Sequence, residues 1–390
     1  MDDQRRTLVS SYTPITMPDL AHEFPVRNTH TYLNTAAQGP WPTRTAQAVQ
    51  QVAARSQFLQ PDRAQGEPTV IDEARGRLAA LLGVTSADLA FGPNTTFGLN
   101  VCMNGIDWRT GDNLVVPDNE FPSVQFSLTV PHDRGVEIRR AQWQGSGPTV
   151  ADIMARVDGR TRAVICSAIS WDLGYRMDLE ALGAACAKAG CLLIVDGIHA
   201  VGAEHMDVKH LRLSAMSVHG YKWLMAGFGV GALYVSPEAV SRIRPTFPGP
   251  QGVEGDLMVP KFPAVWKAGA ARYSAGTGNV IGSTALNASL TLIEEVGVEA
   301  IRAHNHALAG EIAAGIARRL PNAKVWRSSN PAHQSAIVVF STGNQTSDSA
   351  LVEKLAAQNV IVALRPQGIR VSPHLFNTEA DVRKLLDALM

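Results

Sequence analysis

The run "TRAVICSAIS", residues 161–170, constrains this chain most, through its order with the two segments after it. Next comes "DLEALGAACAKAG", an alanine-rich stretch at helical spacing that stops at Gly190, and then a second apolar run, "CLLIVDG". Segments apolar at successive positions have no polar face to offer water, so both faces must be covered, as in the middle of a parallel sheet. Strand, helix, strand in that order implies a right-handed βαβ crossover. "DNLVVP" reads as another such strand, and "PTVIDEARGRLAALLG" as another helix, closed by Gly83. The expected fold class is α/β, with a mostly parallel sheet flanked by helices.

Further on, "GVGALYVSPEAV" reads as a strand followed by a helix start. Residues 245–270, rich in Pro and Gly, read as an irregular connection. A long helical stretch comes after it, "ALNASLTLIEEVGVEAIRAHNHALAGEIAAGIARRL". Then "SAIVVFST", "DSALVEKLAAQNVIVAL", "GIRVS" and "DVRKLLDAL" alternate strand and helix again, which suggests a smaller C-terminal α/β domain. The expected division is an N-terminal segment, 1–30, packing on the small domain, a large cofactor-binding domain, 31–264, and the small domain, 265–390.

Basic and acidic residues balance at 35 each, which removes the electrostatic case for nucleic acid or an anionic membrane as a partner. The first 20 residues lack the apolar core of a secretory signal, and no apolar run reaches membrane-spanning length, so a cytoplasmic protein is expected. The four cysteines, 102, 166, 186 and 191, form no CxxC pair and read as buried thiols, with no metal site.

Chemistry concentrates at the carboxyl ends of the central strands, where open α/β sheets bind ligands. "LLIVDGIHAVG" puts Asp196 at the end of an apolar strand, where it could hold a protonated ring nitrogen or merely cap the next turn. His199, just beyond, could be a satisfied buried histidine. Lys222, in "SVHGYKWLMAGFGVG", lies 26 positions after Asp196 and again near a strand end. A lysine desolvated there loses its proton more easily and can form a Schiff base. In "FGPNTTFGLN", the amides and hydroxyls of Thr95 and Thr96 open a helix, an arrangement that binds phosphate without a basic residue; a plain threonine N-cap is the bland alternative. Lysine, acid and phosphate cup together are what pyridoxal 5'-phosphate (PLP) chemistry requires.

On these motifs, from "YLNTAAQGP" to "RVSPHLFNTEADVRKLLDAL", the chain resembles fold-type I PLP enzymes of the class V aminotransferase group, which includes cysteine desulfurases, isopenicillin N epimerase-like proteins and kynureninase. The resemblance implies a seven-stranded large-domain sheet, with Lys222 as the Schiff-base lysine and Asp196 on the pyridine nitrogen. His199 would stand beside the phenolic oxygen, where many relatives have glutamine. Thr95, Thr96, His219 and Tyr221 would serve the phosphate, and Phe121, in "NEFPSVQ", would stack on the ring. Trp171, in "SAISWDLGYR", takes the place of an asparagine near the cofactor, and Asp172 beside it could be a second functional acid or a turn residue, the turn being preferred. "RYSAGTGN" implies that Thr277 reaches the neighbouring subunit's phosphate, hence a homodimer with shared active sites. "GIRVSPHLFNT" makes Arg370 the clamp on the substrate α-carboxylate; Arg365 and Asn34 would line the substrate side.

Two departures bear on the reaction. "VALRPQGIRVS" carries no cysteine where desulfurases have a mobile-loop cysteine, and Phe121 replaces a histidine that could move protons. The expected activity is a C–S β-lyase on a cysteine S-conjugate. The alternatives are decarboxylation coupled to oxidative deamination of such a conjugate, amino-acid epimerisation and transamination. A non-catalytic PLP-binding protein is disfavoured because Lys222, Asp196 and Arg370 are all retained.

Overall fold

The doubly apolar strands receive apolar neighbours on both faces. In chain order the first eight strands are β1 (Thr31–Tyr32), β2 (Leu89–Gly92), β3 (Asn113–Pro117), β4 (Glu137–Ala141), β5 (Thr161–Ser167), β6 (Leu192–Asp196), β7 (Ala215–His219) and β8 (Gly231–Val235). In β5, Val164 and Cys166 enter one buried cluster with Val115, Leu193 and Val195. Ala163 and Ile165 enter another with Leu114, Val116 and Ile194. This period-2 split between two cores is why the strands carry no polar alternation. The computed structural model describes residues 19–58, 69–143, 145, 147–256 and 258–390.

Seven strands form the large sheet, in the order β2-β8-β7-β6-β5-β3-β4. The five from β3 to β7 run parallel, and β8 pairs antiparallel with both β7 and β2. The crossover helix Leu179–Ala189 begins at Asp178, whose side chain accepts from the Ala181 amide, and stops at Gly190 in a left-handed conformation, φ 73°. Parallel pairing brings Ser167, Asp196 and Ser217 side by side at one edge, because Ser167 is opposite Asp196 and Asp196 opposite Ser217.

The C-terminal strands are β9 (Lys324–Trp326), β10 (Val338–Ser341), β11 (Val360–Ile361), β12 (Ala363–Arg365) and β13 (Gly368–Val371). Four of them make an antiparallel sheet, β12-β13-β10-β9, with its own apolar cluster around Ile312, Phe340, Ile369 and Leu385. β1 pairs parallel with β11, and Leu33 joins this second core. Asn34 then bridges to Ser372, two residues past Arg370. Residues 1–18 of the expected N-terminal segment lie outside the described residues.

Two expectations change. After β8 the segment "SPEAV" forms turns rather than a helix, because the chain is captured at once: Ile243 bridges Ile106, and the Arg244 amide donates to the Gly105 carbonyl. The long helical stretch is two helices, Val280–Val296 and Val298–Arg319, separated by Gly297 at φ 84°. No helix among the described residues is long and apolar enough to cross a membrane.

Candidate active site

Lys222 lies just beyond β7 and is 5 % exposed. Its Nζ stands 3.2 Å from Nε2 of His199, and 5.6 Å from the ring centroids of both Phe121 and Tyr221. Burial, reinforced by the positive charge of Arg370 and, more weakly, Arg365, pulls the lysine down to about 7, against the opposing pull of Asp196. The chain approaches it closely from one side. Gly39 donates its amide to the Tyr221 carbonyl at 2.8 Å, and a Cβ at position 39 would collide with the Lys222 carbonyl. The glycine of "YLNTAAQGP" is therefore a packing requirement of the lysine's own backbone.

Asp196 ends β6, 2 % exposed, and burial raises its carboxyl to about 6. Oδ1 accepts from the Ile198 amide at 2.9 Å, so the local capping role is real. It occupies one oxygen only; among the described residues Oδ2 has no hydrogen-bond donor.

The helix Thr95–Gly105 starts opposite these groups. Its N-cap is Asn94, not a threonine, and the Asn94 side chain takes the Phe97 amide at 2.9 Å. The amides of Thr95 and Thr96 thus lack intrahelical acceptors. The Thr95 carbonyl accepts from Ser217 Oγ at 2.9 Å, which pins this helix to the strand beside Asp196. Thr96 Oγ1 lies 2.8 Å from Ser123 Oγ, two residues past Phe121. Phe121 meets Trp171 edge to face at 5.5 Å. His219 ends β7 and packs on Tyr221 at 4.5 Å; burial, then the Lys222 charge, lower His219 to about 4.

From the second sheet comes Arg370 on β13, 2 % exposed. Its Nη1 donates to the Trp171 carbonyl at 2.6 Å, and burial, with the Arg365 charge, lowers it to about 9. Arg365 is half-buried and donates to the Leu364 carbonyl at 2.7 Å. The structure thus gathers Lys222, Asp196, His199, Phe121, Tyr221 and Arg370 by direct contact, hydrogen bond or mutual charge. Thr95, Thr96, Trp171 and Asn34 join them through their neighbours. Thr277 is different: it is exposed and lines a groove of about 700 Å³ shared with Gly92 and Pro93, just before the threonine pair.

Sequence reasoning missed Glu120 and Trp223 and left Asp172 between a functional acid and a turn residue. Asp172 does sit in a turn, but it is 1 % exposed, with Oδ2 hydrogen-bonded to Asn119 and Oδ1 unpartnered. Glu120 is buried; its carboxylate takes the Ser167 amide at 2.7 Å and the Ser167 hydroxyl at 2.5 Å. Burial, then the Asp196 charge after these hydrogen bonds are met, leaves Glu120 at about 7. Trp223 is 1 % exposed and hydrogen-bonded to His199. The only sequence signal for Glu120 is its place in "NEFPSVQ"; Trp223 has none beyond adjacency to the lysine.

Buried side-chain atoms without a partner concentrate here: Thr95 Oγ1, Trp171 Nε1, Asp172 Oδ1, His219 Nε2, Arg370 Nε and Asn34 Oδ1. Orphaned polar atoms are costly in a finished core and are rare there. Their gathering near one lysine, donors and acceptors together, marks a site made for a polar ligand.

Known proteins agree with this architecture. A probable cysteine desulfurase from Methanothermobacter thermautotrophicus is 27 % identical over 315 residues, 76 % of this chain and 75 % of that protein. Isopenicillin N epimerase from Streptomyces clavuligerus is 25 % identical over 374 residues, 92 % of this chain and 93 % of its own length. The cystine C-S lyase C-DES, solved with its reaction product cysteine persulfide, superposes with a TM-score of 0.85 at 24 % identity, covering 94 % of this chain and 98 % of that one. A C-DES mutant with glycine covalently linked to its PLP cofactor gives 0.86 at 24 % identity, covering 95 % and 99 %. Both superpositions show the shared fold. The model of the family described as aminotransferase class-V matches residues 31–385, and the chain belongs to that family.

Proposed function

We propose that this chain is a PLP-dependent C–S β-lyase acting on a cysteine S-conjugate. The residues present fit the cofactor. The amides and hydroxyls of Thr95 and Thr96, with His219 and Tyr221, would hold the phosphate; Asp196 would hold the pyridine nitrogen and Phe121 the ring face. Bound there, PLP supplies an electron sink for the pair left on a substrate Cα.

The chain's own groups do the rest. Arg370 holds the substrate α-carboxylate, because a buried guanidinium with Nε unpartnered and Nη1 on a carbonyl has room for a carboxylate fork. Nζ of Lys222, lowered to about 7, is substantially neutral near pH 7 and takes the Cα proton. His199 stands beside that nitrogen as its hydrogen-bond partner. The C–S electron pair leaves with sulfur as a thiolate, and with one water the products are thiol, pyruvate and ammonia.

One observation carries the choice of elimination over persulfide chemistry: Cys102, Cys166, Cys186 and Cys191 are all buried, so no thiol of the chain is placed to accept sulfur. The thiolate departs with the substrate fragment instead. The division into large and small domains, with Arg370 brought in by the second sheet, belongs to this proposal. So does a homodimer in which Thr277 serves the neighbouring site. Exposed apolar side chains at Phe228, Met258, Phe262 and Val265 offer surface for such a partner.

The test incubates holoenzyme with cysteine S-conjugates in D₂O and tracks products by mass spectrometry. Thiol, pyruvate and ammonia in equal amounts support the lyase. The D-amino acid alone, an aldehyde with CO₂, or an amino group passed to a 2-oxo acid refutes it in favour of epimerase, decarboxylative deaminase or aminotransferase.

A further inference from the structure

Trp223 comes directly after Lys222 in the chain, but its indole turns the other way, into the core, 1 % exposed. Its Nε1–H donates to Nδ1 of His199 at 3.2 Å. On the far side of the imidazole, Nε2 stands 3.2 Å from Nζ of Lys222. An indole nitrogen only donates. The imidazole nitrogen facing it therefore carries a lone pair, and in a neutral ring the single proton sits on the other nitrogen. The ring is neutral: burial first, then the charges of Lys222, Arg370 and Arg365, hold His199 well below the usual histidine range.

We propose that Trp223 is a positioning residue that locks His199 in its Nε2–H tautomer, so that the imidazole presents a donor to Nζ of Lys222. A donor suits a free amine, which offers a lone pair, and opposes an ammonium, which offers only protons. The lock thus favours the nucleophilic form of the lysine, adding to what burial and Arg370 already do. Trp223 is itself held. Its carbonyl lies 3.0 Å from Nε2 of His374, and its ring meets the His374 ring edge-on at 5.1 Å. His374 in turn bonds Asn305 at 3.2 Å, so the indole cannot swing away without breaking a buried chain of contacts.

The assignment rests on Lys222 being the cofactor lysine, and the tests separate the two ideas. The first needs no cofactor. Apo protein labelled with 15N-histidine is compared with His199→Gln to assign the His199 signals. An unprotonated Nδ1 and a protonated Nε2 support the lock; the reverse tautomer, or an even mixture, overturns it. The second measures the pH dependence of PLP capture by apo protein, which requires neutral Lys222. In Trp223→Phe the ring can turn an acceptor toward the ammonium, so the midpoint should rise by about one unit. In a His199→Leu background, where the side chain has neither donor nor acceptor to turn, Trp223→Phe should leave the midpoint unmoved. An equal rise in both backgrounds means that the indole acts by packing, and the proposal fails. Apo protein that never captures PLP refutes the cofactor reading, while the tautomer measurement still decides the role of Trp223.

Discussion

Replacing Arg370 by glutamine should produce two separable effects whose sizes are set by its surroundings. The guanidinium is 2 % exposed, uses Nη1 on the Trp171 carbonyl and leaves Nε without a partner. A substrate carboxylate would complete it with charge-assisted hydrogen bonds, each worth about 1.5–3 kcal/mol. Losing two such bonds costs about 3–6 kcal/mol, or roughly 10²–10⁴ in kcat/KM, carried mainly by KM. The second effect acts on Lys222. Arg370 is the foremost charge depressing that lysine, so its removal must favour the ammonium and raise the midpoint from about 7 toward the ordinary lysine value. The sign is opposite to that expected on removing an acid such as Asp196. Both are read on one protein: steady-state kinetics on an S-conjugate, and the pH dependence of PLP capture by apo enzyme. Cofactor affinity above the new midpoint should be nearly unchanged. An unaltered KM refutes the carboxylate assignment, and an unmoved midpoint refutes the electrostatic coupling.

Lys222→Ala should retain no PLP after borohydride reduction, and a covalent adduct seen by mass spectrometry in that variant would reassign the lysine. Gly39→Ala should weaken PLP retention at least tenfold, because the new methyl displaces the Lys222 backbone; normal retention would show that the loop yields freely. Asp196→Asn should lower kcat by about 10²-fold or more with PLP still bound, since it removes the charge that keeps the ring nitrogen protonated; near-normal turnover refutes the pairing. Glu120 is raised to about 7, so it folds protonated and its burial grows costly as pH rises from its unfolded value, near 4.5, through 7. Apo Glu120→Gln should therefore lose less Tm between pH 5 and 7.5 than the apo parent, and equal losses would place the Glu120 proton elsewhere.

The sequence made legible whatever depends on local pattern. Apolar runs on both faces announced β3, β5 and β6, and Gly190 and Gly83 marked helix ends that the backbone adopts with positive φ. Strand-end placement singled out Asp196 and Lys222, and parallel register then puts Asp196 between Ser167 and Ser217. What could not be read was set by contacts far apart in the chain. The segment after β8 has helix-compatible residues, yet long-range bonds to Gly105 and Ile106 decide its course. Asp172 looks like any turn aspartate until Asn119 and Arg370 are brought to it. Glu120 keeps its proton because burial among distant strands, helped by the Asp196 charge, outweighs the Ser167 hydrogen bonds that favour its ionised form.

The distribution of charge explains why such an arrangement persists despite its cost. Three cations, Lys222, Arg370 and Arg365, and three acids, Asp196, Glu120 and Asp172, are wholly or partly buried around one point, and burial is the leading influence on all six. No ion pair within 4 Å joins any of these cations to any of these acids among the described residues. A fold selected for stability alone would pair such charges or replace them with apolar groups. Here they are held apart by different elements: Arg370 by the second sheet, Lys222 and Asp196 by adjacent strands of the first. Asp196 Oδ2, Asp172 Oδ1 and Arg370 Nε are left open for groups of opposite sign. A phosphate, a ring nitrogen and a substrate carboxylate are three such groups, and their binding would return the electrostatic energy that folding gave up. Ligand binding and stabilisation are then one process, which is why the strained groups and the reactive groups coincide.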